Sequence, residues 1–344
     1  MVSQLTIISS HLTPLGRTSR TVARTSMHWP KVIAHEKHWR LIVKERLQDY
    51  ARIGVSHHTF FPCKDDAEYH LNTLPWVLQR KDLECVDLTV PYGEPYRSAA
   101  TALIRASGKT IIYNGYLMPT AKIPLCTTSP TERAQILMLA KDQVDAAYEA
   151  GSTWFMQSVG ADPGPKNRSR AFDALGEYID ELSQYMSSKG SMAFLIELMD
   201  RNVHRRSLCG PTSETIEFMR NLKERVPDVG VVVDLGHIPL MEETFLQVFT
   251  EAREFLRHVH LGNCILKDRS HQQWGDMHPP IGLEGGEIDV PELAEVLKIL
   301  LDIGYLNKEK RGTMSFEIKA FPGMTPEETL DDNIGRLNDA WERL

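Results

Sequence analysis

The chain has 344 residues, enough for one large α/β barrel or two ordinary domains. Its 42% hydrophobic and 25% charged content is that of a soluble globular protein, and its formal charge of -7 argues against a nucleic-acid scaffold. No apolar run approaches the ~20 residues that span a bilayer. The five cysteines are scattered and form no C-x-x-C pair, so reduced thiols in a cytoplasmic protein are expected.

Residues 1–50 read as an N-terminal arm and an extra helix. Arg17, Arg20 and Arg24 stand among Ser and Thr, and no acid precedes Glu36. That composition resembles an organellar transit peptide. The preferred reading is an arm that packs on a partner subunit or over a barrel end. The amphipathic pattern over 35–50 predicts a helix, and arm and helix together suggest a homo-oligomer.

A strict alternation then begins. Strands are expected at 53–60, 83–91, 110–118, 153–159, 192–199, 230–235, 258–261 and 313–318. Helices fall between and after them, at 66–79, 96–107, 130–150, 170–188, 213–225, 242–256, 291–301 and 326–344. Ser129 and Thr131 are cap candidates for the long third helix, with Pro130 in its first turn. Eight β/α units without a composition break predict a single (β/α)8 TIM barrel over 51–344. An open doubly wound sheet would place a Gly-rich turn after its first strand, where Phe61-Pro-Cys63 stands instead.

Strands five to eight share one peculiarity. Each is an apolar run ending in charge: Phe194-Leu-Ile-Glu197, Gly230-Val-Val-Val-Asp234, His258-Val-His260 and Met314-Ser-Phe-Glu317. In a barrel these ends converge on one mouth. Glu197, Asp234, His260 and Glu317 make a mainly oxygen set with one nitrogen. Such a set suits one divalent metal, Mn²⁺ foremost, with Mg²⁺ or Co²⁺ as alternatives and Zn²⁺ less favoured. Without a cation, three crowded carboxylates repel, and at least one stays protonated. The competing reading is four separate side chains in strand-end loops, bonded to helix amino termini.

Other residues are candidates around that set. His237 follows Asp234 by three and can reach the same pocket, as a group on a substrate hydroxyl or a second metal's ligand. Arg201, Asn263 and Lys319 are weaker candidates for substrate binding, alongside plain surface or loop roles. The long loop after strand seven holds Asp276 and His278 among prolines and glycines that fix its path. His57, His58, Asn114, Gln157 and Ser158 sit at the other predicted mouth ends and would line the substrate side.

With these residues in view, 53–344 resembles the xylose isomerase-like barrel superfamily of sugar isomerases, epimerases and the endonuclease IV branch. The resemblance rests on Ile196-Glu-Leu-Met-Asp-Arg201, Val233-Asp-Leu-Gly-His237, His258-Val-His-Leu-Gly-Asn263, His278-Pro-Pro-Ile-Gly282, Gly286-Glu-Ile-Asp289 and Ser315-Phe-Glu317. It implies that Glu197, Asp234, His260 and Glu317 bind one divalent metal and that Glu197 and Glu317 are the acid/base pair. His237 matches a substrate-contacting histidine. Endonuclease IV relatives also use positions matching His237, Asp276 and His278 in a three-zinc cluster. That cluster needs histidines at the ends of strands two and three, where Asp87-Leu-Thr-Val90 and Tyr113-Asn-Gly-Tyr116 stand. A narrower likeness, through His260-Leu-Gly-Asn-Cys264 and Gly275-Asp-Met-His-Pro279, is to the large subunit of bacterial C-glycoside deglycosidases. Those work with a divalent metal and a small second subunit on a 3-oxo-glucoside.

The expected function is thus a metal-dependent sugar isomerase or epimerase. It would abstract a proton beside a carbonyl, with the metal stabilising the enediolate. A carbon–carbon lyase acting on a 3-oxo-sugar glycoside is the second reading, with His278 or His237 as an extra proton carrier. An endonuclease IV-like nuclease and a non-catalytic carbohydrate-binding barrel are the remaining alternatives.

Overall fold

In the computed structural model, eight strands close a parallel barrel in sequence order: β1 (Ala51–Ser56), β2 (Cys85–Leu88), β3 (Thr110–Asn114), β4 (Trp154–Gln157), β5 (Ala193–Leu198), β6 (Val229–Asp234), β7 (Leu256–Leu261) and β8 (Gly312–Phe316). β8 returns to pair with β1, so no edge is left. The structure describes residues 45–116 and 123–344. The arm and most of the helix expected over 35–50 lie outside the described residues. The end of that stretch, Leu47–Asp49, forms a single 3₁₀ turn.

Among the described residues ten helices follow the strands: α1 (His57–Phe60), α2 (Ala67–Gln79), α3 (Tyr96–Ser107), α4 (Pro130–Glu149), α5 (Arg168–Lys189), α6 (Thr212–Lys223), α7 (His237–Leu240), α8 (Phe245–Ala252), α9 (Val290–Asp302) and α10 (Pro326–Glu342). Their starts are chemically marked. Ser129 accepts from Glu132 N ahead of α4, whose first turn holds Pro130. Thr325 and Glu328 close a reciprocal capping box on α10. Among the described residues no helix is long and apolar enough to cross a membrane.

Two faces of each strand explain the near-continuous apolar runs. On β5 and β6, Phe194, Ile196, Val231 and Val233 pack outward with the helices in the main core. Leu195 and Val232 pack with Met156 in a separate cluster, the barrel interior. Side chains alternate with period two, so the next residue on the interior face is Glu197 on β5 and Asp234 on β6. The interior is thus apolar below and ionisable at its carboxyl-end mouth.

Most strands are a few residues shorter than expected, and two boundaries differ for a visible local reason. The first strand stops at Ser56, because His57–Phe60 turns into α1 and carries the apolar run on as helix. The helix expected over 242–256 is shorter. Glu242 takes a φ of 59°, and Thr244 caps α8 through Gln247 N. Leu256 already belongs to β7.

Candidate active site

The four strand-end residues converge. One ligand atom from each of Glu197, Asp234, His260 and Glu317 lies within 4.8 Å of the others, and all four residues are buried. His260 Nδ1 is 2.6 Å from Glu317 Oε2 and 3.3 Å from Glu197 Oε1. Its other nitrogen, Nε2, is 3.1 Å from Asp87 Oδ1 on β2. Asp87 also faces His258 Nε2 at 3.2 Å, and His258 Nδ1 reaches Thr313 Oγ1 at 2.8 Å. The buried Asp87 carboxylate therefore fixes His260 with Nδ1 aimed at the acids, as an outer carboxylate does at metal-ligating histidines.

The electrostatics of the cluster fit a cation. Burial, reinforced by Glu317 and Glu197, pushes Asp234 up to about 8 despite His237 and His260 beside it. Burial also acts against ionisation of Glu317, yet His260 and His278 hold it well below the usual carboxylate range. Asp234 Oδ2 is buried without a hydrogen-bond partner, while Glu317 Oε2 meets the His260 ring nitrogen at 2.6 Å. Asp234 Oδ1 is anchored by Gly236 N at 2.9 Å and Glu317 Oε1 by Thr59 Oγ1 at 3.1 Å. Each acid thus has one oxygen anchored outside the cluster and one turned into it, and a divalent cation suits these donors.

Above the cluster opens a cavity of ≈ 360 Å³, within the usual range of small-molecule sites. Glu197, Glu317, His237, His278, Asn114 and Lys319 line it, as do His58 and Ser158. His237 Nε2 stands 3.8 Å from Asp276 Oδ2 and 3.9 Å from both Glu197 and Asp234. Burial lowers the basicity of His237, but Asp276, Asp234 and Glu197 more than restore it. His278 has a φ of 53°, a conformation that turns it into the cavity beside Asp276, with Nδ1 3.6 Å from Oδ1.

Three of the candidate residues spend their polar atoms elsewhere. Arg201 bonds Glu214 and donates to Leu208 O at 2.6 Å, and it is not among the lining residues. Asn263 is fully buried. Its Nδ2 donates to Pro280 O at 2.8 Å, while Oδ1 accepts from Cys264, Glu287 and Ile288 N. It is the internal brace of the long loop. Gln157 bonds Gly115 O and the Tyr178 hydroxyl in the same way.

Several site residues escaped the sequence reading. Arg205 bonds Asp276 and reaches His278 Nε2 at 3.1 Å. Lys64 lines the cavity with its ammonium 4.7 Å from the Tyr116 ring centroid. Both come from loops, where periodicity says nothing. Asp87 carried a usable signal: His258 and His260 alternate on one strand face, and a buried acid was needed to orient them.

Fold and site together define a (β/α)8 barrel with an acid–imidazole cluster at its carboxyl-end mouth. The family model described as xylose isomerase-like TIM barrel matches residues 77–340, and the chain belongs to that family. Among solved structures it resembles an AP endonuclease, family 2, from Brucella melitensis, at 16% identity and TM-score 0.61, covering 83% of this chain and 98% of that one. A 3-keto-D-glucoside 4-epimerase from E. coli aligns at 15% identity and TM-score 0.61 over 85% and 99%. A D-psicose 3-epimerase from Clostridium cellulolyticum H10 aligns at 15% identity and TM-score 0.59 over 83% and 99%. A search of curated protein sequences found no match.

Proposed function

We propose that the protein is a divalent-metal-dependent enzyme of the sugar isomerase or epimerase type. The observation that carries this reading is the convergence of Glu197, Asp234, His260 and Glu317 within 4.8 Å beneath a cavity. Those four residues would hold one cation, Mn²⁺ before Mg²⁺ or Co²⁺. When bound, the cation supplies Lewis-acid polarisation of a substrate carbonyl. Glu197 and Glu317 both reach the cavity and are the acid/base pair: one takes the proton beside the carbonyl and the other returns it. Asn114, His58 and Lys319 orient the sugar's hydroxyl groups.

The same proton abstraction ends in carbon–carbon cleavage if a leaving group departs. His278 favours this second reading as a proton donor. It faces the cavity next to Asp276 and Arg205. A 3-oxo-sugar glycoside is the substrate class for that outcome. The multi-metal nuclease reading is disfavoured by Arg205. Its guanidinium pairs with Asp276 and contacts His278, supplying the positive charge that further metal ions would bring there.

The test is elemental analysis of protein purified without added metal, followed by assays on ketohexoses and 3-oxo-glucosides after chelation and metal re-addition. About one Mn²⁺, Mg²⁺ or Co²⁺ per chain, counted apart from any zinc and lost in Asp234→Ala, with turnover that chelation abolishes, is expected. Equal turnover with and without chelator would refute the metal-dependent mechanism.

A further inference from the structure

A second group of donors lies outside the mouth. His57 and His58 are consecutive on α1, and only His58 lines the cavity. His57 packs against Phe61 and edge-on to His70 of α2, with ring centroids 5.6 and 4.7 Å away. Cys63, in the loop between the two helices, completes the group. Its Sγ is 3.7 Å from His57 Nδ1 and 3.4 Å from His70 Nδ1. All three residues are buried, with 0%, 1% and 1% of their surface exposed for His57, Cys63 and His70.

We propose that His57, Cys63 and His70 form a second cation site, a Cys-His₂ centre for zinc, that fastens α1 and its loop to α2. The spacing is the first argument. Zinc–sulfur and zinc–nitrogen bonds of about 2.3 and 2.0–2.1 Å at a tetrahedral angle place sulfur and nitrogen about 3.6 Å apart. The two observed separations bracket that value.

Proton placement is the second argument. The Thr73 hydroxyl donates to Tyr69 O at 2.9 Å, so it accepts from His57 Nε2–H at 3.0 Å. A neutral His57 then presents a bare Nδ1 to the sulfur. The group contains no carboxylate. A thiolate with two imidazoles selects zinc over the hard cations favoured at the mouth. A fourth position is left for water or a small anion.

Without a cation, the same atoms would form a relay in which His70 donates to Cys63 and Cys63 to His57. Cobalt substitution separates the two arrangements. Full-length protein, stripped of metal, is titrated with Co²⁺ and followed by optical absorption. A thiolate-to-cobalt charge-transfer band requires sulfur ligation, and the mouth set has no sulfur. The band should appear in the wild type and in Asp234→Ala, saturate at about one equivalent in Asp234→Ala, and bleach when Zn²⁺ is added. It should vanish in Cys63→Ser with unchanged circular dichroism. If Cys63→Ser does not fold, His70→Gln serves instead, with cobalt affinity at the band expected to fall at least tenfold. A folded wild type with no charge-transfer band would overturn the site and leave the relay. So would a band of equal strength in Cys63→Ser or an unchanged affinity in His70→Gln. Metal dependence at the mouth is read from turnover, so either site can fail without the other.

Discussion

The two halves of the barrel mouth are built differently. β5 to β8 deliver ionisable groups directly from strand ends, as Glu197, Asp234, His260 and Glu317. Around β1 to β4 the cavity is lined mainly from loops and a helix, by His58, Thr59, Lys64, Tyr116 and Ser158. A side chain at a strand end is held by hydrogen bonds on both sides of the barrel, which suits chemistry that tolerates little displacement. Loop residues adapt to a substrate's shape. Under the proposed function, that difference gives the second half the chemistry and the first half recognition.

The largest test of that division is Glu317→Gln. The substitution keeps the shape but removes the charge and the proton-accepting oxygen, and kcat should fall about 10²–10⁴-fold. Steady-state kinetics check this, with metal content measured in parallel. A loss confined to KM would move the chemistry away from the second half.

Next in size is Asn263→Ala, an effect on folding. It removes the acceptor of three backbone N–H groups and the donor to Pro280 O, all in a buried loop. A cost of about 3 kcal/mol or more is expected, since each orphaned buried group costs about 1–3 kcal/mol. Urea unfolding measures it as a drop in midpoint at constant m. A loss below about 1 kcal/mol would show that the loop is held by its prolines and glycines instead.

The same division governs what could be read from sequence. Barrel and strand order were legible because β-branched runs alternated with helical periodicity and because charge ended four of those runs. Asn263 was legible as a strand-seven neighbour but not as a brace, since Pro280, Glu287 and Ile288 are brought to it only by the folded loop. Arg201 was read from its spacing to Glu197, yet the backbone turns after Met199 and leaves its guanidinium on Glu214. Arg205 and Lys64 had no periodic frame at all. Cys63 read as a plain reduced thiol, because the relation of His57, Cys63 and His70 appears only once α2 packs back on α1.

Asp87 links the halves, and Asp87→Asn is the third test. It lies on β2 yet bonds His260 Nε2 and faces His258. Burial opposes its charge, but the two histidines hold it ionised, below the usual carboxylate range. An amide in its place presents N–H to one of two ring nitrogens that need an acceptor. Loss of such an outer partner costs about 10–100-fold in metal affinity. A chelator-competition isotherm reads this directly. Unchanged affinity would mean that the two acids fix His260 without help from the first half.

The smallest effect separates recognition from chemistry most cleanly. Lys64 comes from the loop after α1, and among the described residues no carboxylate forms an ion pair with it. Burial lowers the basicity of its ammonium, while Glu317 and Glu197 across the cavity partly restore it. A substrate oxygen entering the cavity therefore meets a partly desolvated donor. Lys64→Met keeps the stem and removes that donor. If the first half only binds, the contact has equal strength in ground and transition states, so KM should rise about tenfold with kcat nearly unchanged. If kcat instead falls about 100-fold at constant KM, the ammonium acts only in the transition state, and the chemistry is shared across the barrel.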